Sequence, residues 1–508
     1  MPNVLRVAIT TEPNSLDPIF ALNDYETFVE RLAFDPLVTV AADGRTLLPR
    51  LARVVPTQSN GGISRDGKTI VWHLRRDATW QDGAPFTSRD VAFTFAAIRD
   101  PKNNVANRRG FDLITRVKTP DRYTVAIDLR RAFSPAVTWF FGDGSPYAVL
   151  PAHLLEREPD LNRAAFGARP IGTGPFRVTQ WARGDHITLE RFDGYYAKPK
   201  LAKIVVRFVP DESTVANLMR THEIDLFTIA TTAAYGAMRA IPGYRFALTQ
   251  IHGASTLLTN TTSLPLRDVR VRRAIAMAID ARALVARLTF GAATIASADL
   301  PPFMWAHDAR VRPIPYDPAG ARALLRRAGY VPGAGGILER DGAPLSLVLA
   351  FASTSATQRL ESVQLQAYLH AVGIDAQLKS FTAQQIYAPF AMGGIFQTGK
   401  FDLATYTMTL GIDPDSSGRF MCDAAPPSGQ NYSHYCNAEV DSAERRALAS
   451  YDRGVRARAY ATVQRRLIAD VPFTFLWYPD DIDAYNTDLH GFQPNPTTAS
   501  WNAADWSI

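Results

Sequence analysis

Residues 203–227 read KIVVRFVPDESTVANLMRTHEIDLF. The apolar, β-branched run KIVVRFV reads as a strand covered on both faces. ESTVANLMRTHE follows with Val215, Leu218 and Met219 on one side of a helix, and IDLF is a second short strand. Strand, helix, strand over this length is a βαβ unit, whose crossover is right-handed in nearly all proteins. It commits the chain to the α/β class, with a largely parallel sheet that needs cover on both faces.

The pattern returns in the second half. LSLVLAF is a strand, 355–371 a helix, IDAQLK a strand, 382–392 a helix and FDLATYTM a strand. Before them, LPLRDVRVRRAIAMAIDARALV reads as one long helix. DPAGARALLRRAGY carries its own punctuation: Asp317 as cap, Pro318 in the first turn, Gly329 as stop. Helices near 438–449 and 454–469 and the strand PFTFLWY follow. Two separate parallel-sheet units predict two α/β lobes with a cleft between them.

The stretch between 41 and 167 has a different texture, with short strands and turns. In DGKTIVWHLRRDATWQDGAPFTSRDVAFTF, Asp-Gly pairs at 66–67 and 82–83 supply tight turns. Thr87 and Asp90 stand at capping-box spacing, and Val91, Phe95 and Ile98 form a buried helical stripe. Each polar residue here has a local folding role, so the cluster of Asp and Arg needs no catalytic explanation.

At 508 residues, with 46% hydrophobic and 20% charged residues, the chain is long enough for about three domains of an ordinary globular protein. A net charge of +6 without a basic stripe argues against a nucleic-acid partner. No apolar run approaches the roughly 20 residues of a membrane-spanning helix. MPNVLRVAIT lacks the basic and apolar regions of a signal peptide, so the sequence reads as cytoplasmic or as a mature form. Cys422 and Cys436 share one Pro/Gly/Ser-rich loop. A disulfide ranks first, free thiols second and a metal site with His434 third.

Enzyme motifs fail on inspection. GIFQTGKF has P-loop spacing from Gly394 to Lys400, but Phe401 stands where Ser or Thr is needed, and the helix precedes the strand. HEID at 222–225 lacks a second His, and in GDGSP at 142–146 Pro146 replaces the second Gly of a nucleophile elbow. A binding protein is the reading that remains, with a hydrolase as the remote alternative. The segment TYTMTLGIDPDSSGRF, 405–420, leaves the C-terminal end of a parallel strand, where ligands collect in open α/β sheets. Tyr406, Thr407, Met408, Thr409, Leu410 and Gly411 are therefore candidates. Asp413 and Asp415 either meet a cation or cap a turn. Arg359, opening a helix after another parallel strand, suits a carboxylate or is a surface arginine. Trp477, Tyr478 and Trp501 either wall the cleft or pack in the core. Thr11 and Glu12 after the first strand, and Phe34 after the helix near 24–33, complete the ligand set.

Taken together, DGKTIVWHLRRDATWQDGAPFTSRDVAFTF, PIGTGPFRV, LERFDGYY, PLRDVRVRRAIAMAID and YDPAGARALLRRAGY resemble the extracellular solute-binding proteins of family 5, the oligopeptide/dipeptide-type receptors of ABC importers. The resemblance runs over nearly the whole chain. It implies a periplasmic-binding-protein-like α/β fold with a discontinuous lobe I (1–40, 168–262 and 479–508), an inserted smaller α+β domain (41–167) and lobe II (263–478). A hinge would lie near 260–265 and 478. It further implies an extracytoplasmic monomer without cofactor or catalysis, whose partners are a solute and the permease subunits of an ABC transporter. Peptide-binding members often carry Trp and an acid ahead of the Asp-Pro pair; here Met408–Ile412 fill that stretch, and Asp413 is the acid left for an amine. Arg359 matches the region that holds a ligand carboxylate in some members. A peptide or amino-acid derivative is thus the first expectation, with an oligosaccharide or metal chelate as alternatives.

Overall fold

A computed structural model of the protein describes residues 3–20, 23–105, 108–143 and 147–508. Residues 144–146 of the GDGSP stretch and the first two residues of the N-terminus lie outside them. One twelve-stranded mixed sheet organises the chain. Its strands are β1 (Val4–Ile9), β2 (Phe176–Ala182), β3 (His186–Arg191), β4 (Lys203–Phe208), β5 (Leu226–Phe227), β6 (Tyr244–Gln250), β7 (Gly253–Thr259), β8 (Ala293–Ile295), β9 (Ser346–Ala352), β10 (Asp375–Phe381), β11 (Leu403–Thr409) and β12 (Phe473–Asn486). The order is β10-β9-β11-β7-β12-β5-β1-β4-β3-β2, with β6 and β8 also paired to β12.

The βαβ reading of 203–227 holds: β4 and β5 both run parallel to β1, which lies between them. The helix Glu212–Arg220 joins them, capped by Asp211 and burying Val215 and Met219. In the second half β9 pairs parallel with both β10 and β11, and the helix Ala356–His370 connects β9 to β10.

The two halves meet in β12. Its first residues, Phe473 to Trp477, pair with β7, and Asp480 to Asn486 pair with β6. The chain leaves β6 at Gln250 and enters β7 at Gly253, beside the point where β12 passes from one half to the other. Ile251 N donates to Pro479 O at 3.1 Å across these two passages. The crossing expected near 260–265 is not there. β7 is paired along its length with β11, from Gly253 opposite Thr409 to Thr259 opposite Leu403, so residues 253–262 belong with the second half.

The region 41–167 builds a separate three-stranded antiparallel sheet from Thr69–His73, Ile114–Asp121 and Thr124–Leu129. The helix Ser88–Arg99 carries the capping box between Thr87 and Asp90, and Gly67 and Gly83 take the positive φ the Asp-Gly turns require. Its Trp72, Trp80, Phe95 and Phe111 share one continuous core with Leu5, Val7 and Ile9 of β1. Gln81 explains why two distant motifs belong together. It accepts from Gly172 N at 2.9 Å and donates to Ala33 O, Gly174 O and Phe176 O, so TWQDGAPF holds the PIGTGPF loop in place.

Two helical expectations need correction. The long helix over 264–285 is a 3-10 turn, Leu264–Arg267, and two helices, Val269–Ala278 and Ala281–Leu288. Asp268 and Asp280 accept backbone N–H bonds as caps and restart it each time. The helix over 382–392 stops at Tyr387, because Pro389 lies where it would continue, and a 3-10 turn Phe390–Met392 follows. Cys422 and Cys436 form a disulfide.

Candidate ligand-binding site

The parallel strands β9, β10 and β11 all end on one edge of the second half. Thr409, at the end of β11, pairs with Gly253, the first residue after the passage from β6. The edge therefore borders the crossing segments. In the first half, β1, β4 and β5 end on an edge that borders the same segments from the other side, since Phe227 pairs with Ala484 of β12 and Asp480 lies nearer the crossing. Two strand edges flanking a pair of crossing strands are where an open α/β fold receives a ligand.

On the second-half edge, Thr407 and Thr409 are exposed while Tyr406 and Met408 are buried. The alternation turns the two hydroxyls outward and points Tyr406 and Met408 into the core. Tyr406 packs edge-on against Phe396 at 5.7 Å, and Phe396 in turn meets half-exposed Tyr387 at 5.4 Å. Leu410 is half-buried and its N–H donates to His252 O at 2.5 Å; Gly411 beside it is partly exposed. Arg359 is exposed; its guanidinium donates to Ser353 O at 2.9 Å. Among the described residues no carboxylate pairs with it.

Asp413 and Asp415 are both committed. Arg456 Nη2 reaches Asp413 at 2.5 Å, and Arg109 Nη2 reaches the two Asp415 oxygens at 2.7 and 3.0 Å. Burial works against the Asp415 charge, but the Arg109 guanidinium overrides it and holds the carboxyl below the usual aspartate range.

Other candidates lie away from the edges. Phe34 is fully buried against Phe166 in the first core, because Gly172 and Gly174 close over it. Trp477 is buried within the second half, and Tyr478 is buried with its hydroxyl bonded to Ser297 N, Ala298 N and Leu300 O. Trp501 donates to Gln493 O at 2.6 Å and stacks beneath Arg50. Glu12 accepts from Trp181 Nε1 at 2.9 Å and Gly184 N at 3.0 Å, which pins the turn after β2. Thr11 next to it is exposed at the end of β1.

The sequence reading missed an acidic group on the first-half edge. Asp480 and Asp481 of β12 are half-buried, and Asp24, at the start of the helix Asp24–Ala33, is exposed. Among the described residues none of the three has an ion-pair partner. Solvent reaches them, yet protein surrounds them closely enough to raise all three carboxyls by desolvation. Asp480 rises to about 6. Asp481 rises well above the usual range, first by desolvation and then by Asp24, Asp483 and Asp480. This is a recessed edge of three close carboxyls, each biased toward its protonated form by burial, with Asp481 further biased by its acidic neighbours, and each therefore placed to gain from an incoming cation. The signal was present as three acids in PDDIDAY, 479–485.

Comparison with known proteins shows the family of the chain. The glutathione-binding protein GsiB of Pectobacterium atrosepticum is 29% identical over 86% of this chain and 82% of its own. The oligopeptide-binding protein AppA of Bacillus subtilis is 24% identical over 97% of this chain and 90% of its own. NikZ from Campylobacter jejuni, solved in complex with Ni(L-His), superposes with a TM-score of 0.82 at 25% identity, covering 100% of both chains. A profile of the bacterial extracellular solute-binding proteins, family 5 Middle, matches residues 49–427. That match spans well over half of the sequence, and the chain belongs to the bacterial extracellular solute-binding proteins of family 5.

Proposed function

We propose that the protein captures a peptide or amino-acid derivative between its two lobes and presents it to the permease subunits of an ABC importer. Members of the family are extracytoplasmic transport proteins and not enzymes. Among the described residues no helix is long and apolar enough to cross a membrane. In this reading lobe I holds β1–β6 and the region 41–167, lobe II holds β7–β11, and β12 is shared. The hinge is the pair of passages at 250–253 and 478–480. Closure about such strands is the motion that the handful of φ/ψ changes in a hinge permits.

The observation that carries the ligand class is a charge opposition. Among the described residues, Asp24, Asp480 and Asp481 lie on the lobe I edge without a cation, and Arg359 lies on the lobe II edge without a carboxylate. A zwitterion with an amine at one end and a carboxylate at the other satisfies both. Asp481 replaces Asp413 as the acceptor of the amine, because Asp413 already holds Arg456. Trp477 is buried and Trp501 lies beneath Arg50, so these two rings do not offer a sugar a stacking face.

Thermal-shift titration with di- to pentapeptides, each also N-acetylated and C-amidated, tests this reading. A free peptide at a hundred times its Kd should stabilise by about 2.7 kcal/mol, and blocking either end should reduce the shift. If blocked and free peptides shift the protein equally, or only oligosaccharides do so, the assignment is wrong.

A further inference from the structure

The region 41–167 is fused to lobe I through a common core, yet it also grips lobe II. Arg109 Nη2 donates to both oxygens of Asp415, at 3.0 and 2.7 Å, and to Ser417 Oγ. Asp415 is shaped for this contact, since it also accepts from Ser417 N at 3.0 Å and Ser417 Oγ at 2.7 Å. Gly418 leaves room for the guanidinium as it stands: a Cβ there would lie 2.7 Å from Arg109 Nη1 and the arginine tip would have to shift. Behind the loop, Ser416 Oγ donates to buried Glu444 at 2.5 Å, tying it to the helix Ala438–Leu448.

Further contacts join the same bodies, among them Arg45, which donates to Phe303 O and, at 3.2 Å, to Pro302 O. Ser134 donates through N to Leu448 O at 2.9 Å and through Oγ to Ala447 O at 3.0 Å, covering the end of that helix. Tyr451 Oη donates to Phe133 O at 3.0 Å. None of these groups is near the crossing strands in sequence. They join parts of the chain that lie on opposite sides of the passages at 250–253 and 478–480.

We propose that Arg109 is a positioning residue that latches the lobes shut, by clamping the Asp415–Gly418 loop that continues directly from the cleft segment Thr407–Gly411. The inserted domain is then a third jaw, which couples closure to the shape of the cleft wall. This rests on the lobe and hinge assignment above and not on the identity of the solute.

The test reads lobe separation without ligand. Nitroxide labels are placed on Lys200→Cys and Arg326→Cys, two exposed positions on different lobes; the native cysteines are bonded to each other and stay silent. Pulsed electron-electron resonance should give a short-distance population in the otherwise native protein. Arg109→Ala and Asp415→Ala should each raise the ratio of long to short distances by about 10- to 100-fold, the range for losing hydrogen bonds to a charged group. The double variant should match the singles, and Arg109→Lys should recover part of the short population, which a general loss of stability would not do. Circular dichroism melts check folding; if Asp415→Ala fails to fold, Arg109→Gln is read in its place. A native protein already at the long distance, or one whose distances Arg109→Ala and Arg109→Gln leave in place, overturns the latch. The peptide titration stands or falls separately.

Discussion

Arg456 Nη2 sits 2.5 Å from Asp413 Oδ1, with the two side chains only 7% and 12% exposed. The arginine also lies 5.2 Å from the Trp305 ring and 3.2 Å from Tyr460 Oη. A pair so enclosed shapes the loop after β11 and is closed to a ligand. Removing one partner of a buried pair costs about 3–5 kcal/mol, because the other charge is stranded. Asp413→Ala should therefore lower the denaturation midpoint strongly. The double variant Asp413→Leu with Arg456→Met should be less destabilised than Asp413→Ala alone, as chemical denaturation would show.

Gly172 and Gln81 give a second prediction. A Cβ on Gly172 would lie 1.8 Å from Ala33 O, a backbone atom that cannot step aside. Gly172→Ala must displace the loop or the helix end it covers, at about 1–3 kcal/mol or more. Gln81→Ala leaves buried backbone groups of the same loop without partners, at about 1–3 kcal/mol. Urea titration of each variant checks both, and the pair should be non-additive because one contact is being broken twice.

Stability should fall as pH rises from about 4 to 8. Burial raises Asp17 and Asp299 to about 7 and Glu361 to about 8. An unfolded chain releases those protons near pH 4. In that interval the folded state holds more protons than the unfolded state, so each added pH unit favours unfolding until the folded groups have ionised. Asp299 is 1% exposed and neither of its oxygens has a hydrogen-bond partner among the described residues. Asp299→Asn should raise the melting temperature at pH 8, change little at pH 4 and flatten the profile between. A native protein equally stable at pH 5 and pH 8 would contradict this account.

The disulfide between Cys422 and Cys436 spans a sequence separation of 14. A loop of this size is worth about 3 kcal/mol through the entropy of the unfolded chain. Reduction, or the paired change to serine, should lower the melting temperature and leave peptide titration curves in place.

Local grammar was the legible part of the sequence. Thr87 with Asp90 and Asp317 with Pro318 and Gly329 mark their helices because caps act within one turn. The passage near 478 was read from the resemblance, while that at 250–253 was illegible for a physical reason. Strand β7, GASTLLT, is buried along its length, so it shows no alternation, and its small polar residues hide it. The second half of β12, beyond the strand PFTFLWY, was hidden in the opposite way. Asp480, Asp481 and Asp483 are poor strand formers, and they are extended only because β6 pairs with them. The same override concealed the acidic edge, since a site assembled from residues 24, 480 and 481 has no spacing to read. Asp413 was visible as an acid, but its partner lies 43 positions away.

Strand β12 has a consequence for how the molecule is made. Both halves of the sheet wait for residues 473–486, which are made after every other strand of it. Neither half can close its hydrogen-bond ladder before then, so the nascent chain must keep two incomplete sheet margins from pairing with neighbours. Truncation just ahead of residue 473 would strip a strand from both halves at once, and neither should survive as a stable fragment.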